Sequence, residues 1–330
     1  MRVDNKGATV HETIAELLEK AKCSDALSRE QAERLPQLLT TELLDIMASA
    51  RLAASTGGSK HFTCAIVNAK SGRCQENCAF CAQSAHHETN VRAYPLLSSD
   101  ELLAQAEKYA GAGVDYMGLV TSGTGPNAVD FECVCRTAEK IRANVDIRLC
   151  ASFGILNADM AKQLRASGFT SCHHNLETSR SHYPSVCTTH GYELRVDTVK
   201  QALASGLRVC SGGIFGVGES WEQRIELSME LAELGVHSIP INFLMPIPGT
   251  PMAKARSLSP REALATIALF RLMHPHRDIV VCGGRASLGR YVEMLFSAGA
   301  NGLMVGDYLT TKGDALREDM DMITMLGLKR

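Results

Sequence analysis

The stretch FTCAIVNAKSGRCQENCAFC (residues 62–81) joins a β-rich apolar run to three cysteines. Cys74, Cys78 and Cys81 have the spacing Cys-x3-Cys-x2-Cys, and no fourth cysteine follows closely. An iron–sulfur cluster with four irons takes four ligands, usually four thiolates. Three closely spaced thiolates therefore hold three irons and leave the fourth open to a small molecule, which predicts chemistry at the metal.

A zinc site is the alternative for the same three cysteines. Zinc needs a fourth cysteine or histidine to close its tetrahedron, and His86 and His87 lie close enough in sequence to be considered. Zinc sites usually come as paired Cys-x2-Cys units, which this triplet is not. The spacing and the sequence that follows it therefore favour the iron–sulfur cluster.

The apolar run at residues 62–68 is the first of eight β-rich runs that alternate with amphipathic helical patterns. Eight strands joined by helices favour parallel pairing and closure into a (β/α)8 TIM-type barrel, with an open doubly wound sheet as the alternative. Helices over 99–112, 221–234 and 260–273 lie between strands. Several helices end at a glycine that suits a left-handed cap: Gly113, Gly168, Gly206 and Gly235. The other predicted strands are 116–121, 146–152, 171–175, 208–214, 238–244, 279–282 and 302–305.

Residues 1–60 have a helical pattern of their own. Ile14, Leu17 and Leu18 recur at helical spacing, and Ser28 is placed to begin a helix over 28–39. We interpret 1–60 as an N-terminal helical cap without chemistry and 61–330 as the barrel domain.

The composition is that of an ordinary globular protein. Of 330 residues, 45% are hydrophobic and 21% charged, and the net charge of −2 predicts no attraction for nucleic acid or anionic membrane. No apolar run is long enough to cross a bilayer, and no signal core follows the N-terminus. We therefore expect a cytoplasmic protein, where twelve cysteines favour metal or redox roles over disulfides.

Polar and glycine-rich motifs follow the predicted strands. Residues 122–125 follow the second strand, Asn175 and Glu177 follow the fourth, and Asn242 ends the sixth. Barrel enzymes place their active sites at this end of the strands. The arrangement predicts one site at the carboxyl end of the barrel.

With these residues in view, the chain resembles the biotin synthase family of the radical S-adenosylmethionine (SAM) superfamily, from about residue 63 to 326. The resemblance rests on ordered stretches rather than on the triplet alone. They are SGRC and CAQS around the triplet (71–74 and 81–84), HNLETS (174–179), VCSGGI (209–214), IPIN (239–242), PGTP (248–251), Gly284-Arg285 and LTT (309–311).

The resemblance implies the conversion of dethiobiotin to biotin. A [4Fe-4S] cluster would cleave SAM to a 5′-deoxyadenosyl radical that removes hydrogen from dethiobiotin, and a second iron–sulfur cluster in the barrel would donate the sulfur. It also implies an electron donor such as flavodoxin or ferredoxin, and a homodimer. Two alternatives remain: another radical SAM enzyme of this barrel type, such as a maturase or carbon-skeleton enzyme, and a non-catalytic iron–sulfur or zinc protein.

The resemblance assigns residues to the SAM site. Cys74, Cys78 and Cys81 match the cluster ligands. The remaining matches are Phe80 beside the third cysteine, Arg195 at the SAM carboxylate, Asn175 at the ribose, Glu177 where the family commonly has aspartate, Asn242 near the adenine, and Ser122 in a loop suited to the SAM amino group.

The substrate site is assigned in the same way. Asn242 matches a residue near the ureido group of the substrate, and Thr310 and Thr311 match the loop that binds its carboxylate. His173 stands where the family has an asparagine that contacts the substrate. This departure puts the substrate contact at that position in doubt.

The second cluster departs further from the pattern. Cys150, Cys210 and Arg285 match three of its four usual ligands, but the second strand (residues 115–119) carries no cysteine. We predict that Cys187, in the loop after the fourth strand, replaces the missing ligand. The cluster type, [2Fe-2S] or a larger form, stays open.

The alternation of side chains along a strand sorts the other cysteines. It predicts that Cys150 and Cys210 point into the barrel. If Arg285 and His173 also point inward, Cys282 and Cys172 point outward. Cys64 is predicted to be a small buried residue without a role in metal binding.

Overall fold

The barrel is built from parallel strands alone. A computed structural model describes residues 10–39, 41–309 and 316–328 of the chain. Within these residues every strand runs parallel to its neighbours. The strands are β1 (Phe62–Lys70), β2 (Tyr116–Thr121), β3 (Arg148–Ser152), β4 (Phe169–His173), β5 (Arg208–Cys210), β6 (Gly213–Phe215), β7 (Ser238–Phe243), β8 (Asp278–Val281) and β9 (Gly302–Met304).

The sheet closes on itself, which confirms the barrel and rules out the open sheet. The strand order is β5-β4-β3-β2-β1-β9-β8-β7-β6, and β5 also pairs with β7. Both β5 and β6 pair with β7, so these two short strands together form the fifth of eight barrel strands.

The fifth barrel strand is interrupted because of its neighbour. Pro240 in β7 has no N–H to donate to the ladder. The backbone at Gly212 approaches Pro240 so closely that a Cβ there would lie 2.1 Å from the proline carbonyl oxygen. The strand predicted at 208–214 therefore forms as two segments around Ser211 and Gly212.

Helices connect the strands and form the cap. The predicted helices over 221–234 and 260–273 match the observed bounds, and Gly113, Gly168, Gly206 and Gly235 all have positive φ, as predicted. The helices are α1 (Val10–Cys23), α2 (Arg29–Ala32), α3 (Leu35–Leu38), α4 (Leu43–Thr56), α5 (Ser99–Gly111), α6 (Ala128–Asn144), α7 (Ala158–Ala166), α8 (Tyr192–Ala204), α9 (Trp221–Leu234), α10 (Pro260–Met273), α11 (Met294–Ser297) and α12 (Leu316–Met325), with 3-10 turns at Tyr183–Ser185 and Arg285–Tyr291.

The helix predicted over 28–39 is broken into α2 and α3. Ser28 caps it as predicted, with a reciprocal capping box to Gln31. Pro36 lacks an N–H, so it lies in the first turn of a new helix rather than inside a continuous one.

The cap packs against α10 of the barrel. The Leu27 N–H donates to the Leu272 carbonyl at 3.0 Å, and Leu17 and Ile46 share one apolar core with Phe270. Because the two regions share this core, a boundary at residue 60 stays a prediction. Within the described residues, no helix has the length and apolar character needed to cross a membrane.

Candidate active site

A cavity of about 460 Å³ runs through the barrel. At its floor, where the strands begin, the Tyr116 ring stacks under the Arg148 guanidinium at 3.9 Å, and Arg208 pairs with Asp278 at 3.1 Å. Seven of the twelve cysteines line it, three in the loop after β1 and four on the barrel strands and their ends: Cys74, Cys78 and Cys81, then Cys64, Cys150, Cys210 and Cys282.

The loop that carries Cys74, Cys78 and Cys81 is held by its own backbone. The Cys74 N–H donates to the Gln83 carbonyl at 2.9 Å, and the Ala85 N–H donates to the Cys74 carbonyl at 2.7 Å. Gly72 enters the loop with φ +84°, and a Cβ there would lie 2.7 Å from the Ala93 Cβ. The triplet is therefore presented on a rigid loop at the carboxyl end of β1.

The two histidines that a zinc site would need are engaged elsewhere. A ring nitrogen of His86 donates to the Gln75 carbonyl at 2.9 Å, and one of His87 donates to the Cys81 carbonyl at the same distance. These bonds support the loop backbone, and among the described residues neither histidine forms, with two thiols of the triplet, a set of three ligand atoms within 4.8 Å of one another.

The spacing of the thiols also favours a cluster. Four ligands around one zinc ion, with Zn–S near 2.3 Å, lie roughly 3.8 Å apart. Among the described residues, only Glu76, Cys187 and His190 bring three ligand atoms all within 4.8 Å of one another. Neither cysteine set is that compact, so each suits a multinuclear cluster better than a single ion.

Cys64 and Cys282 join Cys150 and Cys210 inside the barrel. Burial raises the pKa of Cys150 to about 12 and that of Cys210 well above its ordinary value. A hydrogen bond with Cys64, together with burial, likewise raises the pKa of Cys282. The thiols of Cys150, Cys210 and Cys282 are therefore protonated near neutral pH, and a metal that binds them must displace the protons.

Cys282 is expected to point outward only if Arg285 points inward, and that condition is not met. Cys282 lines the cavity and Arg285 does not, so the two side chains have opposite orientations, as alternation predicts for residues three apart. The structural role predicted for Cys64 also needs correction. Residues 62, 64 and 66 of β1 face the cavity while 63 and 67 are buried on the other face. The inward orientation of Cys150 and Cys210 is confirmed, and Cys172, which does not line the cavity, agrees with its predicted outward orientation.

Cys187 is not brought to Cys150 and Cys210. It is buried against the cluster loop, with its sulfur 3.5 Å from the Asn77 Oδ1 and 3.4 Å from the His190 Nδ1. The loop after β4 packs there because the Ala79 N–H donates to the Val186 carbonyl at 2.8 Å. This position beside the triplet is the physical reason that Cys187 does not stand in for a ligand on β2.

Arg285 lies in a buried ion pair rather than on the cavity wall. Its Nη1 and Nη2 donate to the two carboxylate oxygens of Asp319 on α12 at 2.7 and 2.9 Å, and its Nε donates to the Tyr308 hydroxyl at 2.9 Å. The side chains of Arg285 and Asp319 are 1% and 4% exposed. The fork of the guanidinium is thus committed to Asp319, and Arg285 does not line the cavity as the match to a cluster ligand led us to expect.

Arg195 lies beside the triplet. Its Nη1 donates to the Glu177 carboxylate at 3.1 Å and to the Asn175 carbonyl at 3.0 Å, and its Nη2 lies 4.0 Å from the Cys78 sulfur. Burial opposes its charge, but Glu177 and Tyr183 raise the pKa of Arg195 above its ordinary value. The structure thus brings Arg195, Asn175 and Glu177 together beside the cluster loop, as the sequence predicts.

Phe80 and Ser122 also line the cavity. Phe80 packs against Val186 and Leu244 beside the triplet. The Ser122 hydroxyl donates to the Gly72 carbonyl at 2.9 Å, so it ties the second strand to the cluster loop. The Ser122 hydroxyl therefore contacts the backbone of the cluster loop.

Asn242 and His173 lie on the cavity wall where the substrate is expected. The Asn242 amide donates to the Gly213 carbonyl at 3.1 Å and accepts from the Gly283 N–H at 3.0 Å, which leaves one N–H and one lone pair for a ligand. Burial lowers the pKa of His173 to about 4, so its ring is neutral near pH 7. Thr310 and Thr311 lie outside the described residues.

Sequence reasoning missed Cys64, Cys282 and Glu76. Glu76 lies inside the triplet and accepts hydrogen bonds from Thr124, Thr189 and His190. Burial acts against ionisation, but these bonds lower the pKa of Glu76 to about 2. The alternation along β1 is a signal that identifies Cys64, whereas no sequence pattern links Glu76 to His190.

Comparisons with known proteins agree with this site. The family model of the Radical SAM superfamily matches residues 69–232, and that of the Biotin and Thiamin Synthesis associated domain matches residues 240–329. Over 313 residues the chain is 50% identical to the biotin synthase of Nitratidesulfovibrio vulgaris (strain Miyazaki F), covering 92% of this chain and 86% of that one. It is 47% identical to the biotin synthase of Geobacter sulfurreducens over 305 residues, covering 92% and 93%.

Solved structures show the same fold at low identity. A methylornithine synthase matches with a TM-score of 0.81 at 19% identity, covering 95% of this chain and 96% of that one. An [FeFe]-hydrogenase maturase from Carboxydothermus hydrogenoformans matches with a TM-score of 0.80 at 16% identity, covering 96% and 79%. At such identities the likeness concerns the fold alone.

Proposed function

The chain belongs to the biotin synthase family of radical SAM enzymes, and on this premise we propose how its two sets of thiols share the chemistry. The reaction is the insertion of sulfur into dethiobiotin to give biotin. One observation carries the proposal: a single cavity is lined by three thiols of one loop and by four further thiols inside the barrel.

The loop thiols hold the [4Fe-4S] cluster that binds SAM. Cys74, Cys78 and Cys81 are its ligands, and Arg195 pairs with the SAM carboxylate through its planar fork. Asn175 and Glu177 bind the ribose. Phe80 packs beside the cluster, and the backbone near Ser122 contacts the amino group of SAM.

The barrel thiols hold the second cluster. We assign its ligands as Cys64, Cys150, Cys210 and Cys282, because these four line one cavity and because burial and the neighbouring Cys64 thiol raise the pKa of the other three. Gly118 on β2, between Ile66 and Cys150 in register, contributes no side chain to this space. Arg285, in the 3-10 turn after β8, then supports the site through its ion pair with Asp319 on α12 instead of binding the metal.

The protein orients the reaction and excludes water. When bound, the first cluster and SAM supply the 5′-deoxyadenosyl radical, and the second cluster supplies the sulfur. Asn242 offers its spare amide N–H and lone pair to the ureido group of dethiobiotin. His173, neutral in its buried position, contacts the substrate, and Thr310 and Thr311 bind the substrate carboxylate.

The remaining assignments follow from the family. We propose that a flavodoxin or ferredoxin supplies the electron, since cleavage of SAM consumes one. We also propose that the protein works as a homodimer in the cytoplasm. The molar mass of the reconstituted protein by light scattering tests the dimer, and a monomer at all concentrations would contradict it.

The function is tested by anaerobic reconstitution with iron and sulfide, followed by addition of SAM, reductant and dethiobiotin. We expect deoxyadenosine and biotin to form together. About six irons per chain would indicate a two-iron second cluster, and about eight a four-iron form. Deoxyadenosine without any sulfur-containing product would contradict the assignment and favour another radical SAM activity.

The ligand assignment is tested by Cys282→Ala, with Cys172→Ala as its matched control. Cys172 is as buried as Cys282 but does not line the cavity. We expect Cys282→Ala to keep the SAM cluster and SAM cleavage while losing the second cluster and biotin formation. Cys172→Ala should keep both. An unchanged iron and sulfide count in Cys282→Ala would remove it from the ligand set.

A further inference from the structure

Beyond these assignments, and resting on the proposed function, we propose that Tyr183 and His190 are positioning residues. They link Arg195, which pairs with the SAM carboxylate, to Glu76 inside the cluster loop. Through this link the position of the arginine and the shape of the cluster loop depend on each other.

The link is a chain of three hydrogen bonds. The Arg195 Nε lies 2.8 Å from the Tyr183 hydroxyl oxygen, and that oxygen lies 2.8 Å from the His190 Nε2. The His190 Nδ1 lies 2.6 Å from the Glu76 carboxylate. All four residues are at most about a tenth exposed, so water offers little competition for these bonds.

The chemistry of the two outer groups fixes the direction of the bonds at the ends. A guanidinium only donates and an ionised carboxylate only accepts. The Tyr183 hydroxyl therefore accepts from the Arg195 Nε, the His190 Nδ1 donates to Glu76, and the Tyr183 hydroxyl and the His190 Nε2 share the bond between them. The Tyr183 hydroxyl lies in the middle of the link, so its removal breaks both the bond to Arg195 and the bond to His190.

Both ends of this hydrogen-bonded link contact the proposed SAM site. Glu76 lies between the ligands Cys74 and Cys78 and also accepts from Thr124 after β2. Arg195 holds Glu177 and approaches the Cys78 sulfur. Without Tyr183 the Nε of Arg195 loses its partner, and the fork that meets the SAM carboxylate is no longer fixed.

The experiment compares Tyr183→Phe with Tyr192→Phe in the reconstituted protein. Tyr192 is a matched control because it is buried, its ring lies 5.3 Å from the Tyr183 ring, and its hydroxyl has no hydrogen-bond partner among the residues that the structure describes. SAM affinity is measured by equilibrium dialysis, and the potential of the SAM cluster by a redox titration followed by electron paramagnetic resonance.

We expect Tyr183→Phe to keep its iron and sulfide but to bind SAM about tenfold more weakly, which is the loss typical of one hydrogen bond to a charged group. The cluster potential should shift as well, whereas Tyr192→Phe should match the wild type in both measurements. Wild-type SAM affinity in Tyr183→Phe would overturn the proposal. If the wild-type protein itself bound no SAM, the proposed function would fail instead.

His190 provides a second, independent variant. In His190→Gln the side-chain amide can still donate to Glu76 and accept from Tyr183. In His190→Leu the side chain can form neither hydrogen bond. We expect the glutamine variant to retain more SAM affinity than the leucine variant at equal iron content. Equal affinity in the two variants would show that His190 only fills space.

The same side chains allow one competing interpretation. Ligand atoms of Glu76, Cys187 and His190 lie within 4.8 Å of one another, a spacing that suits a single metal ion. The hydrogen-bonded link from Arg195 to Glu76 requires protons between these side chains and no metal ion. Metal analysis of the wild type and His190→Leu should show no difference beyond the cluster iron. A stoichiometric metal ion that is lost in His190→Leu would overturn the proposed link.

Discussion

At the residue scale, the cysteines show how far sequence matching reaches. Cys74, Cys78 and Cys81 are identified by their spacing, and Cys150 and Cys210 by their stretches. Cys64 and Cys282 lie in no such stretch, and they meet only because β1 and β8 enclose the same cavity. Contacts between residues far apart in sequence depend on barrel closure, which local patterns do not describe.

A residue-scale prediction concerns Cys187. Since its thiol packs against Asn77 and His190 rather than facing Cys150, Cys187→Ala should keep the iron and sulfide of both clusters. Iron and sulfide counts after anaerobic reconstitution, with Cys64→Ala alongside, check this. Cys64→Ala should lose the second cluster, and the reverse pattern would restore Cys187 as the missing ligand.

At the element scale, the strands were predictable because they are short apolar runs, four of which (β2, β4, β5 and β7) follow a glycine with positive φ at the end of a helix. Their ends were less predictable. Strand β4 was predicted at 171–175 and forms at Phe169–His173, so Asn175 lies beyond the strand, where its backbone carbonyl is free to accept from Arg195. The break at Gly212 arises from Pro240 on a neighbouring strand, which no pattern within 208–214 reveals.

An element-scale prediction concerns the docking of α12. Asp319→Asn leaves the buried Arg285 charge without its partner, which should cost about 3–5 kcal/mol of unfolding free energy. Asp321→Asn on the same helix removes an exposed ion pair with Arg317 and should cost less than about 1 kcal/mol. Denaturant unfolding of both variants checks this, and similar midpoints for the two would contradict it.

At the scale of the whole molecule, the cavity places the two thiol sets at different depths. Cys74, Cys78 and Cys81 lie in a loop beyond the end of β1, whereas Cys64 and Cys150 lie within strands of the barrel wall. The wall encloses the second set, and the proposed SAM cluster has one iron open to small molecules.

This arrangement predicts different sensitivity to oxygen. On timed exposure to air in the absence of SAM, the cluster held by the triplet should be lost first, and the cluster inside the barrel should survive longer. Mössbauer spectra of samples stopped at intervals distinguish the two. Equal rates of loss would contradict the proposed depths.

The floor of the cavity has a kinetic consequence. Tyr116 stacks under Arg148, and Arg208 pairs with Asp278, at the end where the strands begin. We expect substrates and products to enter and leave the cavity at the other end, which carries the cluster loop. We expect the substrate, bound deeper in the cavity than SAM, to enter before SAM, and its product to leave after methionine and deoxyadenosine. We therefore expect a compulsory order of binding, in which the last product to leave competes directly with the first substrate to enter.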